Sequence, residues 1–156
     1  RYWNRRLAMN HAEKAVEYYS NNFNCSQGVF TTYATEMGMD EKMALMLATN
    51  FGGGERKGEL CGAVAGALMV LGLRCGHYDS NDMESKRKAY GISEEFMNRF
   101  IKKNGSVVCR ELLGYDLTKE EDMKIIKKEN LFTTFCPAMV RSVSEILDEM
   151  INEGIC

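Results

Sequence analysis

The chain contains a single proline, and its apolar residues recur at steps of three and four instead of alternating. This spacing places apolar side chains along one face of a helix, whereas a half-buried strand requires a period of two. Since proline breaks helix interiors, its scarcity leaves room for long helices. A length of 156 residues suits one hydrophobic core. We therefore predict an all-α fold, a single domain over residues 1–156 with about seven helices.

Helix boundaries follow from capping residues and small residues. Asn24 and Gln27 form an Asn-x-x-Gln capping box, and Asp40 suits the start of the next helix. The segment 61–66 is rich in glycine and alanine and lets neighbouring backbones approach, so we expect its helix to be the central one. Further predictions are a first helix over 5–19, a long helix over 82–103 interrupted near Gly91, caps at Ser106 and at Thr118 with Glu121, and Pro137 in the first turn of the last helix.

Charge and hydropathy exclude two classes of partner. A net charge of −2 and a pI near 5.8 provide no positive field for a nucleic-acid backbone. The longest apolar run, residues 60–73, is shorter than the roughly 20 residues that span a bilayer. The first residues lack the apolar core of a secretory signal. We predict a cytoplasmic protein with no transmembrane helix and no nucleic-acid partner, and the small-residue helix faces favour a homodimer.

Helix position singles out four of the six cysteines. Cys25, Cys61, Cys109 and Cys136 each lie at the cap or in the first turn of a predicted helix. Free amides and the positive end of the helix dipole stabilise a thiolate there, and thiolates bind metals and attack disulfides. We predict that these four residues are reactive and form the site. The chain has no Cys-x-x-Cys pair, so folding must assemble such a site.

The other cysteines and the histidines carry weaker signals. Cys75 follows the end of the central helix, where the dipole disfavours a thiolate, and Cys156 is the last residue. We expect neither in the site, and their presence leaves open an extra disulfide or an intermolecular link. His11 and His77 are isolated, and we interpret them as surface residues and not as ligands.

The segment 51–58 contains four glycines just before the central helix. A P-loop requires Lys and Ser or Thr after its last glycine, and neither follows Gly58. We therefore predict no nucleotide site, and positive φ angles that give the backbone a tight path to the next cysteine. In particular, we expect Gly53, Gly54 and Gly62 to let backbone amides approach the sulfurs and tune a bound cofactor.

Several short segments together carry a family resemblance. They are residues 24–27 (Asn-Cys-Ser-Gln), 51–54 (Phe-Gly-Gly-Gly), 61–66 (Cys-Gly-Ala-Val-Ala-Gly), 71–73 (Leu-Gly-Leu), 109–114 (Cys-Arg-Glu-Leu-Leu-Gly) and 136–137 (Cys-Pro). This set resembles the C_GCAxxG_C_C family of redox-active proteins over nearly the whole chain, although the order here is Cys-Gly-Ala instead of Gly-Cys-Ala. The family's four cysteines map onto Cys25, Cys61, Cys109 and Cys136, the same four that helix position selects.

The resemblance implies an electron-transfer or thiol function, with an unknown redox partner and an association with a transporter or a redox enzyme. The chain is also similar to the cysteine-bearing part of split-Soret cytochromes, where an iron–sulfur centre occurs. It has no Cys-x-x-Cys-His for haem attachment, so haem is not expected.

Three hypotheses about function stay open, and whether the protein is an enzyme stays open with them. In the leading one, the four cysteines bind an iron–sulfur cluster, or alternatively zinc, for electron transfer. In the second, the same residues act as a metal-free thiol–disulfide oxidoreductase or sensor. The third is a non-catalytic module that binds a transporter and merely packs its cysteines in the core.

Overall fold

The computed structural model describes residues 9–156 and is helical. Within that range, the sole strand-like pairing is an isolated antiparallel bridge between Leu60 and Val108. No helix of this range combines the length and apolar character needed to cross a bilayer. The predicted all-α single domain is confirmed. The helices are α1 His11–Ser20, α2 Cys25–Glu36, α3 Glu41–Ala48, α4 Gly62–Cys75, α5 Met83–Asn104, α6 Cys109–Leu113, α7 Glu120–Lys128, α8 Leu131–Thr134 and α9 Cys136–Asn152.

Predicted capping residues set the starts of α2 and α3. The Asn24 side chain accepts the N–H of Gln27, and the Gln27 side chain accepts the N–H of Asn24. Asp40 accepts the N–H of Met43 at the start of α3. Both predictions are confirmed. The predicted start of α1 near residue 5 lies outside the described residues.

The predicted interruption of the long helix at Gly91 is wrong, because α5 runs through this position without a break. A side chain at Gly91 would meet nothing within 4 Å, so this residue faces open space. Ile92, Phe96 and Phe100 are buried on the opposite side. Their burial outweighs the ~1 kcal/mol that one glycine costs a helix.

Two predicted caps are also wrong. The Ser106 hydroxyl accepts the N–H of Val108, which precedes α6, and no side chain caps that helix. The Thr118 hydroxyl donates to Asp116, and α7 begins after Lys119 without a side-chain cap. In both cases the hydroxyl uses a nearer partner, as serine and threonine often do in turns.

Helices α2 and α4 share the centre of the bundle, whereas the sequence predicts this place for α4 alone. A Cβ added to Gly66 of α4 would lie 2.9 Å from the carbonyl oxygen of Ser26 in α2. A Cβ added to Gly28 of α2 would lie 2.6 Å from the carbonyl oxygen of Ala15 in α1. Glycine at these positions therefore brings three backbones into direct contact.

The buried residues form two hydrophobic clusters. The larger one, here called the main core, contains side chains of α1 to α5 and α9. The smaller one, here called the minor core, lies where α6, α7 and α8 meet. Its buried members are Cys109, Leu113, Leu117 and Ile126.

His11 links three helices on the main core, so its interpretation as an isolated surface residue is wrong. Its Nδ1 lies 2.6 Å from Asp148 of α9, and its Nε2 lies 2.7 Å from Glu36 of α2. Tyr33 also donates to Asp148, at 2.8 Å. The hydrogen bond to Asp148 raises the pKa of His11, although burial opposes this effect. His77 is exposed.

Candidate functional site

The four cysteines selected from the sequence all lie at helix starts. Cys25, Cys109 and Cys136 are the first residues of α2, α6 and α9, and Cys61 is the N-cap of α4. Pro137 follows in the first turn of α9, as predicted. All four cysteines are free thiols, and all four line one cavity of about 340 Å³. The fold therefore brings thiols that are distant in sequence to one place.

A short backbone pairing positions Cys61 beside Cys109. The Cys61 N–H donates to the carbonyl of Val107 at 2.7 Å, and the Cys109 N–H donates to the carbonyl of Glu59 at 2.5 Å. These two bonds flank the Leu60–Val108 bridge. Since side chains alternate along extended segments, the two cysteines project to the same side of this pairing.

Two glycines make room for two of the sulfurs. A Cβ on Gly62 would lie 2.4 Å from Sγ of Cys25 and 2.7 Å from the carbonyl oxygen of Phe51. A Cβ on Gly54 would lie 2.8 Å from Cβ of Cys109. Gly53 contributes differently, because its N–H donates towards the Cys25 sulfur. Of the three amides that we expected to approach the sulfurs, the Gly53 amide does so, and the role of all three glycines towards a cofactor stays a prediction.

The loop before the bridge has four consecutive residues with positive φ. Gly53, Gly54, Glu55 and Arg56 have φ angles of 65°, 59°, 55° and 61°. The glycine pattern predicts this conformation at glycines, but nothing in the sequence predicts it at Glu55 and Arg56. For such residues the left-handed region costs roughly 1–2 kcal/mol each. Arg56 reaches the cavity from this strained loop.

The cavity wall is mainly apolar, and the sequence analysis did not identify the residues that form it. The Tyr19 hydroxyl donates to the carbonyl of Phe132 at 2.6 Å and joins α1 to α8 beside the cysteines. No capping or periodic signal marked the short helix α8. The apolar lining residues are Phe23, Leu112, Leu113, Phe132, Phe135 and Met139.

Burial raises the pKa of all four thiols. It raises the pKa of Cys109 to about 12 and that of Cys136 to about 11, with charge on Cys25 adding to both shifts. The pKa values of Cys25 and Cys61 are also raised, mainly by burial, although N–H groups oppose the shift. Helix position predicted stabilised thiolates. That prediction is wrong for the metal-free site, because loss of hydration outweighs the helix-start amides.

The spacing of the donors bears on which metal group they fit. Among residues 9–156, no three His, Cys, Asp or Glu side chains form a group that could hold a single metal ion. All four cysteines nevertheless line one cavity. In an iron–sulfur cluster the thiolates bind different metal atoms, so they stand further apart than around one ion. Four cysteine thiols are the donor set that iron–sulfur clusters use, and whether a cluster binds here stays a prediction.

The remaining two cysteines form a disulfide away from this cavity. Cys75, the last residue of α4, is bonded to Cys156 with an S–S distance of 2.05 Å. Neither residue lines the cavity. Of the two outcomes that the sequence left open for this pair, the structure has the intramolecular disulfide.

Comparison with known proteins gives one match. A family model described as "Putative redox-active protein (C_GCAxxG_C_C)" matches residues 23–150. No curated protein and no solved structure matches the chain. The matched region contains all four cysteines that line the cavity and leaves out Cys156.

Proposed function

Because the chain belongs to the C_GCAxxG_C_C family of redox-active proteins, we propose that its four free cysteines hold an iron–sulfur cluster for electron transfer. One observation carries this proposal: free thiols from four separate helix starts line a single cavity. Iron–sulfur clusters are commonly held by four cysteine thiolates. The residues that would hold it are Cys25, Cys61, Cys109 and Cys136.

The cavity lies at the junction of the two hydrophobic clusters. Cys61 belongs to the main core and Cys25 packs against it, whereas Cys109 belongs to the minor core and Cys136 packs against that. A group bound to all four would bond the two cores together. Since metal binding contributes directly to folding free energy, the minor core should gain stability when the site is loaded.

The raised thiol pKa values favour metal binding over metal-free exchange. Thiol–disulfide exchange begins with attack by a thiolate, and burial keeps the Cys109 and Cys136 thiols protonated at neutral pH. A metal ion supplies the positive charge that displaces these protons. Zinc would do so as well, but it requires four sulfurs about 2.3 Å from one point.

A bound cluster would supply reversible electron transfer. The chain contributes the surroundings that set its potential. The N–H groups of Gly53 and Ser26 donate towards the Cys25 sulfur, and hydrogen bonds to sulfur tune cluster potentials. Phe132 and Phe135 place aromatic rings in the cavity wall.

The experiment is anaerobic purification followed by iron, sulfide and zinc analysis. We expect iron and sulfide in the wild type, their loss on Cys→Ser substitution at each cavity cysteine, and their retention in Cys75→Ser/Cys156→Ser, the matched control. The proposal fails if the wild type stays metal-free after reconstitution with iron and sulfide. Zinc in place of iron would support the zinc alternative, and one defined disulfide among the four after mild oxidation would support the thiol oxidoreductase.

A further inference from the structure

One cation stands at the cavity of the four cysteines. Among the described residues that line this cavity, Arg56 is the only one with a charged side chain. It is exposed, so it lies at the mouth. No carboxylate of the described residues pairs with it within 4 Å, and the nearby Glu59 pairs with Arg110 at 2.8 Å. The Arg56 charge is therefore free to act on the cavity.

The guanidinium of Arg56 lies beside Gly53. Arg56 Nη1 occupies the space beside Gly53, where an added Cβ would lie 2.6 Å from it. The N–H of the same glycine donates towards the Cys25 sulfur. Arg56 also has a φ of 61°, which a long side chain adopts only when its surroundings impose it. Strain of this kind concentrates at functional sites, which points to a function for the position of the guanidinium.

The neighbouring Glu55 forms no ion pair with Arg56 within 4 Å and does not line the cavity. Glu55 has one buried carboxylate oxygen without a hydrogen-bond partner among the described residues, and burial raises the pKa of this group. Loss of hydration favours its neutral form. At Cys109 the charge of Glu55 raises the pKa of the thiol and the smaller effect of Arg56 lowers it, although of these two residues only Arg56 lines the cavity.

We propose that Arg56 is the counter-charge of the four-cysteine site. This inference rests on the proposed function. When an external donor adds one electron to a cluster held by four thiolates, the negative charge of the site grows by one and no bond to the chain breaks. The guanidinium stabilises that added charge and so favours the reduced state, as a positioning residue that acts through the sulfurs.

The first test is a redox titration of the loaded protein with dithionite as the electron donor. Arg56→Gln should lower the midpoint potential by about 59 mV, the equivalent of a tenfold change for one electron. Arg56→Lys keeps the charge and should restore most of the difference. Lys57→Gln removes an equal charge from the next residue, which does not line the cavity, and should leave the potential unchanged. Equal shifts in Arg56→Gln and Lys57→Gln would overturn the proposal.

The second test needs no cofactor. Apo protein is alkylated with iodoacetate, which is anionic, and in a parallel reaction with iodoacetamide, which is neutral. Mass spectrometry measures both alkylation rates at the cavity thiols, and the iodoacetate rate is divided by the iodoacetamide rate. A guanidinium at the mouth concentrates the anion, so the ratio should fall roughly threefold in Arg56→Gln and stay near wild type in Arg56→Lys and Lys57→Gln. Arg56→Gly, which suits the positive φ, is the replacement if Arg56→Gln fails to fold.

The two tests separate this inference from the proposed function. If the wild type never takes up iron and sulfide but the alkylation ratio falls in Arg56→Gln, the cluster proposal fails and the counter-charge stands. If the cluster binds while neither the ratio nor the potential responds to Arg56, the counter-charge proposal fails alone.

Discussion

The two ends of helix α4 hold cysteines in opposite chemical states. Cys61 at its start is a free thiol that shares a cavity with three others, whereas Cys75 at its end is bonded to Cys156. About 20 Å of helix separates them. Unpaired N–H groups occupy a helix start and unpaired carbonyls a helix end, although at Cys61 burial outweighs the effect of these N–H groups and raises the pKa of the thiol. The comparison separates free thiols that share a cavity from a cysteine pair that closes a loop of the chain.

The largest expected effect tests the stabilising role of the disulfide. It closes a sequence separation of 81 residues, and a loop of this size is worth about 4 kcal/mol in the chain-entropy model. Cys75→Ser/Cys156→Ser should therefore lower the free energy of unfolding by about that amount in urea. Alkylation rates of the four cavity thiols should stay unchanged, and a clear change in them would break the comparison.

A smaller change in stability is expected from alanine substitutions at two glycines of α4. Gly62→Ala places a methyl 2.4 Å from the Cys25 sulfur and should lower the free energy of unfolding by about 2–3 kcal/mol and reduce metal uptake. The added methyl of Gly72→Ala, near the other end of α4, meets nothing within 4 Å, so this substitution should raise the free energy of unfolding by about 0.5–1 kcal/mol. Chemical denaturation of both variants gives the two values. Equal losses would show that the start of α4 has no special packing constraint.

Relief of backbone strain in the cavity loop should raise the stability of the protein. Arg56→Gly removes a side chain that disfavours a φ of 61°, so the free energy of unfolding should rise by up to about 1 kcal/mol. Lys57→Gly, at a residue without positive φ, should instead lower it by about 0.5–1 kcal/mol. If both variants lose stability alike, the loop is not strained at Arg56.

The smallest effect concerns His11, which touches neither set of cysteines. Its pKa is raised by the hydrogen bond to Asp148, so protonation stabilises the fold fully below about pH 6.5. This contribution is lost as pH rises through the folded-state pKa, and for a partly exposed pair it amounts to ~1 kcal/mol or less. His11→Gln should flatten the decline in stability as the pH rises above about 6.5, and His77→Gln, at an exposed residue, is the control. If the free energy of unfolding of His11→Gln declined with pH as steeply as that of the wild type, His11 would not be the source of the decline.

The sequence predicted what local chemistry determines. The capping box at Asn24, the cap at Asp40 and the position of Pro137 depend on neighbouring residues, and all three are confirmed. Two of these signals mark the helix starts that hold Cys25 and Cys136, whereas no side chain caps the starts that hold Cys61 and Cys109. The predicted break at Gly91 is wrong because the burial of Ile92, Phe96 and Phe100, which depends on tertiary packing, keeps the helix continuous.

Tertiary features of the site were beyond local signals. The bridge that joins Cys61 to Cys109 connects segments almost fifty residues apart. No feature of the sequence predicts the positive φ of Arg56, because long side chains rarely adopt this conformation. The raised thiol pKa values depend on burial, which only the packed chain creates. The redox partner, a homodimer and a cytoplasmic location stay predictions.

Native mass spectrometry of protein purified and reconstituted under anaerobic conditions tests the central claim most directly. We predict a mass above that of the polypeptide by the iron and inorganic sulfide of one cluster, lost on Cys61→Ser and retained on Cys75→Ser/Cys156→Ser. The bare polypeptide mass in the wild type, with all four cavity thiols open to alkylation, would contradict the account.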